Sequence, residues 1–412
     1  MVSETFFLLN PITQPLNSMP SLIYININFL RYTNLVIFMQ KKNDDVYREL
    51  QKHLDNMPVG FPATESGVEI KLLKQLFTPE QAQIALKLKF VGDPLKKIYR
   101  KLKKSGFSLE ELEKKLDEMY FKGLVHRAVL NEGESEIKYY ASAPFVVGMY
   151  EFQLDQITPE FYRDSEEYLN EHYIRKEYNK SGIPQMRVVP LDQTVSHEQS
   201  IANYDDIKQL IENIGEPIAV MDCICRKGTD LIEEPCKKTK LRETCLTFRM
   251  GAKIFLEKGL ARKITKEEAF KILEEAKEDG LILQPGNSQR PINICICCGC
   301  CCGLLKGQKM LPGISQLFAT NYYAEVDPEL CVGCGTCEDR CNLDAVRIED
   351  NIARVDREMC IGCGVCVPTC TSEAMKLFKK EEITRPPKNT FSTYAKIMVK
   401  KAELARAEKT QT

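Results

Sequence analysis

Eight of the eighteen cysteines fall in two runs of one pattern. Cys331-x2-Cys334-x2-Cys337-x3-Cys341 recurs as Cys360-x2-Cys363-x2-Cys366-x3-Cys370, each cysteine 29 positions after its counterpart. Three thiolates this close on one loop can grip three corners of a polynuclear iron–sulfur cluster, provided the backbone bends sharply between them. Gly333, Gly335, Gly362 and Gly364 supply the permissive dihedrals and leave N–H groups free to face sulfur. A zinc knuckle pairs two C-x2-4-C units around one ion, which two runs of four are not. A disulfide framework requires an oxidising compartment, and the chain opens on no basic-then-apolar export signal.

With these residues, the stretch from about Glu325 to Phe378 resembles a bacterial-type ferredoxin with two [4Fe–4S] clusters. The resemblance implies a ferredoxin-like β-α-β-β-α-β domain over 322–380, in which the fourth cysteine of each run crosses to the other cluster. Cys331, Cys334, Cys337 and Cys370 would hold one cluster, and Cys360, Cys363, Cys366 and Cys341 the other. Asn342 and Thr371 stand where the family usually places proline after the fourth cysteine. Arg340, Arg347 and Arg354 flank the first run and could offset negative charge there.

The other ten cysteines lie between 180 and 305. Ile218 to Arg226 reads as a strand ending in Cys223-Ile-Cys225; Cys236 follows, and Cys245 opens a helix over Leu246–Lys258. Cys295 and Cys297 alternate with isoleucines, the pattern of a half-buried strand, and lead into Cys298-Gly-Cys300-Cys301-Cys302. Same-face sulfurs of a flat strand sit ~7 Å apart, whereas those around one tetrahedral zinc sit ~3.8 Å apart. A further iron–sulfur cluster therefore fits regular strands better than a single zinc. Cys223, Cys225, Cys236 and Cys245 could form one four-ligand set; Cys295 and Cys297, with the four cysteines after them, could give a second set or share the first. Cys236 and Cys245 also read as small core residues, and the adjacent pairs as redox-active thiols. His53, His126, His172 and His197 are scattered and read as surface or core residues.

The elements that must position these cysteines follow from the rest of the chain. Its 412 residues allow about two to four domains. A formal charge of −1 gives no bulk attraction to nucleic acid or anionic membranes. Residues 1–38 carry only Glu4 and Arg31 as charges and read as a non-native or disordered extension, with Met39 as the true start. No run approaches the ~20 apolar residues a bilayer span requires. Over 39–153, helices opened by Thr78-Pro-Glu-Gln81 and Ser108-Leu-Glu-Glu111 precede a hairpin around Asn131-Glu-Gly133, the order of a winged helix-turn-helix. The helix in the recognition position carries Glu110, Glu111, Glu113, Asp117 and Glu118 against Lys114, Lys115 and Lys122, which argues against DNA. Lys96, Lys97, Arg100, Lys101, Lys103 and Lys104 form a basic run on the helix before it. Thr158-Pro-Glu160 caps a helix through about Tyr173, opening a Cys-rich α/β middle over 154–305; a basic helical tail occupies 381–412 and packs back or docks on a partner.

The expected fold class is α+β multidomain. The whole order resembles a prokaryotic family of ferredoxin-domain proteins with a winged-helix-like N-terminus and a Cys-rich middle, to which no reaction is assigned. The reading is a cytoplasmic electron-transfer protein of anaerobic metabolism, acting as carrier or redox subunit for a partner the sequence does not name. The alternatives are an oxidoreductase subunit with a further metal or Fe–S centre in the middle, and a redox-responsive winged-helix regulator. No catalytic constellation stands out, and oligomeric state is not legible.

Overall fold

Helix starts are written in the sequence, and the elements follow them. The computed structural model describes residues 45–133, 135–191, 202 and 205–411. The extension at 1–38, the Met39 start and His197 lie outside those residues.

Helices α1 (45–55), α2 (Val68–Leu76) and α3 (Pro79–Ala85) open the described chain, and β1 (Asp93–Pro94) leads into α4 (Leu95–Leu102) and α5 (Leu109–Phe121). Thr78 and Ser108 each close a reciprocal capping box, with Gln81 and Glu111 as partners. Strands β2 (Val125–Glu132) and β3 (Ser135–Ser142) pair antiparallel, and β1 adds to the free side of β3, a third strand the sequence reading missed. A two-residue strand holding a proline carries almost no alternation to read. Phe145, Val146, Met149, Tyr150 and Phe152 then bury their side chains in the first core. Helix α6 (Pro159–Glu167), capped by Thr158, runs on in wider turns to Tyr178.

The middle is a five-stranded antiparallel sheet in the order β6-β4-β5-β8-β7, built from β4 (Ile218–Asp222), β5 (Glu243–Phe248), β6 (Arg262–Ile264), β7 (Ile282–Pro285) and β8 (Asn293–Cys297). Helices α7 (Ile207–Asn213), α8 (Ile224–Leu231), α9 (Met250–Glu257), α10 (Lys266–Glu278) and α11 (Gly303–Lys309) connect and cover it. Two expectations are corrected here. Cys245 lies within strand β5 and opens no helix: Thr244, Leu246 and Phe248 alternate into the core, and Arg249, at φ 51°, breaks the chain before α9 begins. Cys223 and Cys225 do not share a strand face either. The β4–β5 register shifts between Met221 and Asp222, β4 stops, and Cys223 becomes the N-cap of α8 with Cys225 in its first turn.

The last unit repeats itself. Strands β9 (Tyr322–Val326) and β12 (Met375–Lys379) pair, as do β10 (Val346–Glu349) and β11 (Ile352–Val355), with α12 (Thr336–Arg340) between β9 and β10. Positive φ angles recur at the 29-residue shift: 65° and 64° at Gly333 and Gly362, 80° and 73° at Gly335 and Gly364, 54° at both Asp344 and Glu373. A Cβ on Gly333 would lie 2.3 Å from the Asn351 carbonyl oxygen, and one on Gly362 2.1 Å from that of Tyr322, itself 29 residues before Asn351. Glycine is a steric requirement at both positions.

The cores interlock. Met221, Ile224 and Phe255 of the middle belong to the N-terminal core, and Ile361 and Val365 of the last unit belong to the core of the five-stranded sheet. Helix α13 (Thr390–Gln411) packs back: the Tyr394 ring lies 5.3 Å from that of Phe90, and Lys401 Nζ donates to Glu177 Oε1 at 2.6 Å. The result is a mixed α and β chain of small sheets. No described helix is long and apolar enough to cross a membrane.

Candidate metal–thiolate centres

The cysteines of the last unit sit where the backbone repeat puts them. Cys331, Cys334, Cys337 and Cys370 line one small cavity together with apolar residues such as Val326, Ile348 and Met375. Cys331 Sγ accepts the Ala353 N–H at 3.3 Å and Cys360 Sγ that of Ala324 at 3.4 Å, two donors themselves 29 residues apart. Cys341 Sγ accepts from Ala345 at 3.2 Å and Cys370 Sγ from Met375 at 3.3 Å. Backbone N–H groups aimed at sulfur lower the cost of thiolate charge, the environment an iron–sulfur cluster uses to tune its potential.

The two sets differ in setting. Cys334 is exposed, and the Thr336 hydroxyl, 3.5 Å from its sulfur, holds its thiol below the ordinary value. Beside it, Val332 is 68% exposed and Leu330 44%. Cys360 and Cys366 are buried, and burial pushes the thiols of Cys360, Cys363 and Cys366 up, that of Cys363 to about 12. After burial, Cys363, Cys360 and Cys341 act electrostatically on Cys366, and so does Cys337 of the other set, so the two sets are neighbours.

The buried set faces the middle sheet. Leu191 N–H donates to the Cys363 carbonyl at 3.2 Å. The Arg340 guanidinium donates to the carbonyls of Lys277, Glu278 and Val365 at 2.7–2.9 Å, so it ties elements together. Asn342, in the family's proline position, accepts the Gly299 N–H at 3.0 Å and donates to the Gly280 carbonyl at 2.8 Å. Proline could make neither bond. The departure from the family pattern is a side-chain clamp on the Cys298–Cys302 loop.

That loop builds a second kind of site. Cys236 Sγ lies 3.5 Å from Cys298 Sγ and 3.7 Å from Cys300 Sγ, while Cys300 Sγ lies 3.5 Å from Cys298 and 3.7 Å from Cys301. All four sulfurs are within 4.8 Å of one another. Tetrahedral zinc with Zn–S bonds of ~2.3 Å needs sulfurs ~3.8 Å apart, so four touching thiols are pre-arranged for one ion. Hydrogen bonding with the Cys298 thiol drives Cys236 far below the ordinary thiol value; Cys236 in turn pushes Cys300 up, but hydrogen bonds with Cys298 and Cys301 outweigh it and hold Cys300 down. Sequence reasoning placed Cys236 with Cys223, Cys225 and Cys245; the structure separates it from them and joins it to Cys298, Cys300 and Cys301. No spacing rule signals this, because the partners are 62 to 65 residues from Cys236 (236 against 298 to 301).

The remaining six cysteines surround an adjoining space. Cys223, Cys225, Cys245, Cys295, Cys297 and Cys302 line a cavity of ≈ 70 Å³, which Cys298 and Cys301 of the tetrathiolate border and Val146, Val147, Tyr150 and Leu169 help to enclose. The sheet register sets Cys245 opposite Cys295, and Cys297 lies two residues further on the same face. Cys223 and Cys225 enter from the β4–α8 turn and Cys302 as the N-cap of α11. Their thiols interact in an unbroken chain, Cys245 with Cys295, Cys295 with Cys297, Cys297 with Cys302, Cys302 with Cys225 and Cys225 with Cys223. Arg226, 0% exposed, stands beside both groups. Burial alone would depress its pKa, but the charges of Cys223, Cys298 and Cys297 outweigh burial and raise it. Glu151 also lines the cavity, and burial pushes its carboxyl up to about 7. Of the described histidines, none joins a group of candidate ligands.

No curated protein and no solved structure matches the chain. Residues 323–371, which hold both four-cysteine runs, do match the family model of the 4Fe-4S dicluster domain, and this part of the chain is an iron–sulfur, ferredoxin-like domain.

Proposed function

We propose that the chain transfers single electrons through two [4Fe–4S] clusters, as a carrier or as the redox subunit of a larger enzyme of anaerobic, cytoplasmic metabolism. Cys331, Cys334, Cys337 and Cys370 would hold one cluster and Cys360, Cys363, Cys366 and Cys341 the other. The observation that carries this reading is the matched pair of N–H···S bonds, Ala353 to Cys331 and Ala324 to Cys360, inside a 4Fe-4S dicluster match. The clusters supply low-potential one-electron chemistry. The chain's own part is to bury one set against the five-stranded sheet and expose the other, through Cys334, Val332 and Leu330, to a redox partner. The tetrathiolate of Cys236, Cys298, Cys300 and Cys301 would hold one tetrahedral ion in a closed, structural site.

The three-stranded sheet with α4 and α5 reads as a winged helix used for packing. Tyr120 at the end of α5 donates its hydroxyl to Glu257 Oε2 of α9 at 2.7 Å, and Arg127 of β2 pairs with the same carboxylate. A helix docked by its end and lined with carboxylates is poorly suited to phosphate. We read the domains as 39–153, 154–305, 322–380 and the tail 381–412.

Iron and acid-labile sulfide per chain, with EPR of the reduced, anaerobically purified protein, test the reading. At least ~8 Fe and two interacting cubane signals are expected. Zinc with little iron would sink it.

A further inference from the structure

The six thiols that the tetrathiolate leaves over differ from it in one measurable respect. The tetrathiolate sulfurs are mutually within 4.8 Å, and among the described residues no three of the six meet that condition. They ring a cavity instead of closing on a point. One ion cannot reach them all, whereas several metal ions bridged by sulfide can. The same chain provides the comparison. Cys331, Cys334, Cys337 and Cys370, inside the dicluster match, likewise line a small apolar cavity without closing on one another. That cavity is ≈ 20 Å³, against ≈ 70 Å³ for the space inside the six-thiol ring.

Arg226 supplies an independent observation. Its guanidinium is fully buried; Nη1 donates to Thr244 Oγ1, and Nε and Nη2 have no acceptor. No carboxylate lies within ion-pair distance of it among the described residues. Arginine stays charged in proteins, so a buried guanidinium needs a negative partner. A neutral thiol cannot be that partner. Thiolates bound to metal can, and the guanidinium is acted on from both groups, by Cys223 and Cys297 of the ring and by Cys298 and Cys236 of the tetrathiolate.

We propose that Cys223, Cys225, Cys245, Cys295, Cys297 and Cys302 bind a sulfide-bridged iron cluster next to the tetrathiolate, with Arg226 as the counter-cation between the two. The assignment extends the reading of the middle as a metal-binding module and does not need the ferredoxin clusters. It is tested on the full chain, purified anaerobically, by iron, zinc and sulfide analysis with Mössbauer and EPR spectra. Iron should exceed the ~8 that two [4Fe–4S] clusters contain. In a Cys295→Ala/Cys297→Ala variant the excess iron and its sulfide should vanish while the ferredoxin signals persist. Arg226→Gln, which removes no ligand, should lower the reduction potential of the excess cluster alone. Wild-type iron no greater than ~8 beside two ferredoxin signals, or a double variant that keeps all its iron and sulfide, would overturn the assignment. Sulfide-bridged iron in a wild type without ferredoxin signals, lost in the double variant, would support it and overturn the proposed function instead.

Discussion

Asn342 shows how much one residue can carry. Its amide accepts from Gly299 and donates to Gly280, joining the ferredoxin-like run to the loop that holds Cys298, Cys300 and Cys301. Asn342→Ala would leave a buried N–H and carbonyl unpaired, and each costs ~1–3 kcal/mol. We expect a loss of roughly 2–6 kcal/mol in urea unfolding, with zinc or iron released from the middle before the ferredoxin signals fade. Glu151 gives a pH signature. The folded carboxyl keeps its proton up to about 7, because burial penalises the charge, whereas an unfolded glutamate loses it near ~4.3. Between those values the folded state binds more protons, so this contribution is full at low pH and is lost as pH rises through 7. At ~1.4 kcal/mol per unit the loss is of order 2–3 kcal/mol between pH 4.5 and 8. Denaturation at pH 5 and pH 8 should show it, and Glu151→Gln should flatten the difference.

Elements were legible where their signals are local. The capping residues Thr78 and Ser108 announce α3 and α5, and the 29-residue repeat announces its own turns. Elements set by distant partners were not. The strand holding Cys245 lies between β4 and β8, and that pairing overrides the helical pattern read from Leu246 onward. Likewise, Cys236 meets Cys298 only because the β5–β8 pairing brings the two loops together, which no window of sequence contains. The ferredoxin-like runs were legible because their spacing and glycine turns are local and repeat at a fixed shift. At this scale the glycine turns are the sharpest test. Gly333→Ala and Gly362→Ala each set a Cβ within 2.3 Å of a carbonyl oxygen at positive φ. Left-handed backbone alone costs ~1–2 kcal/mol for other residues. The clash adds to this, so each variant should lose cluster iron, Gly333→Ala at the exposed set and Gly362→Ala at the buried one, as EPR would resolve.

Across the whole molecule, the cores interlock more than the sequence divisions suggest. Phe255 of α9 packs into the N-terminal core, with its ring 5.0 Å from Phe152, while Lys258 sits 3.7 Å over the Tyr120 ring. A domain fixed this way to the five-stranded sheet is placed to brace that sheet. A mobility-shift assay at low salt with genomic DNA should therefore show no retardation in either redox state; a shifted band would revive the regulator reading.

The swapped N–H donors have a further consequence for how the last unit can be divided. Ala324 stands on the strand leading into the first run yet serves Cys360 of the second, and Ala353, leading into the second, serves Cys331 of the first. Each half therefore finishes the other's sulfur environment. A chain cut between Asp350 and Asn351 would part Ala353 from Cys331 and Ala324 from Cys360 at once, so neither half would keep its own sulfur environment and neither would be a smaller working version of the whole.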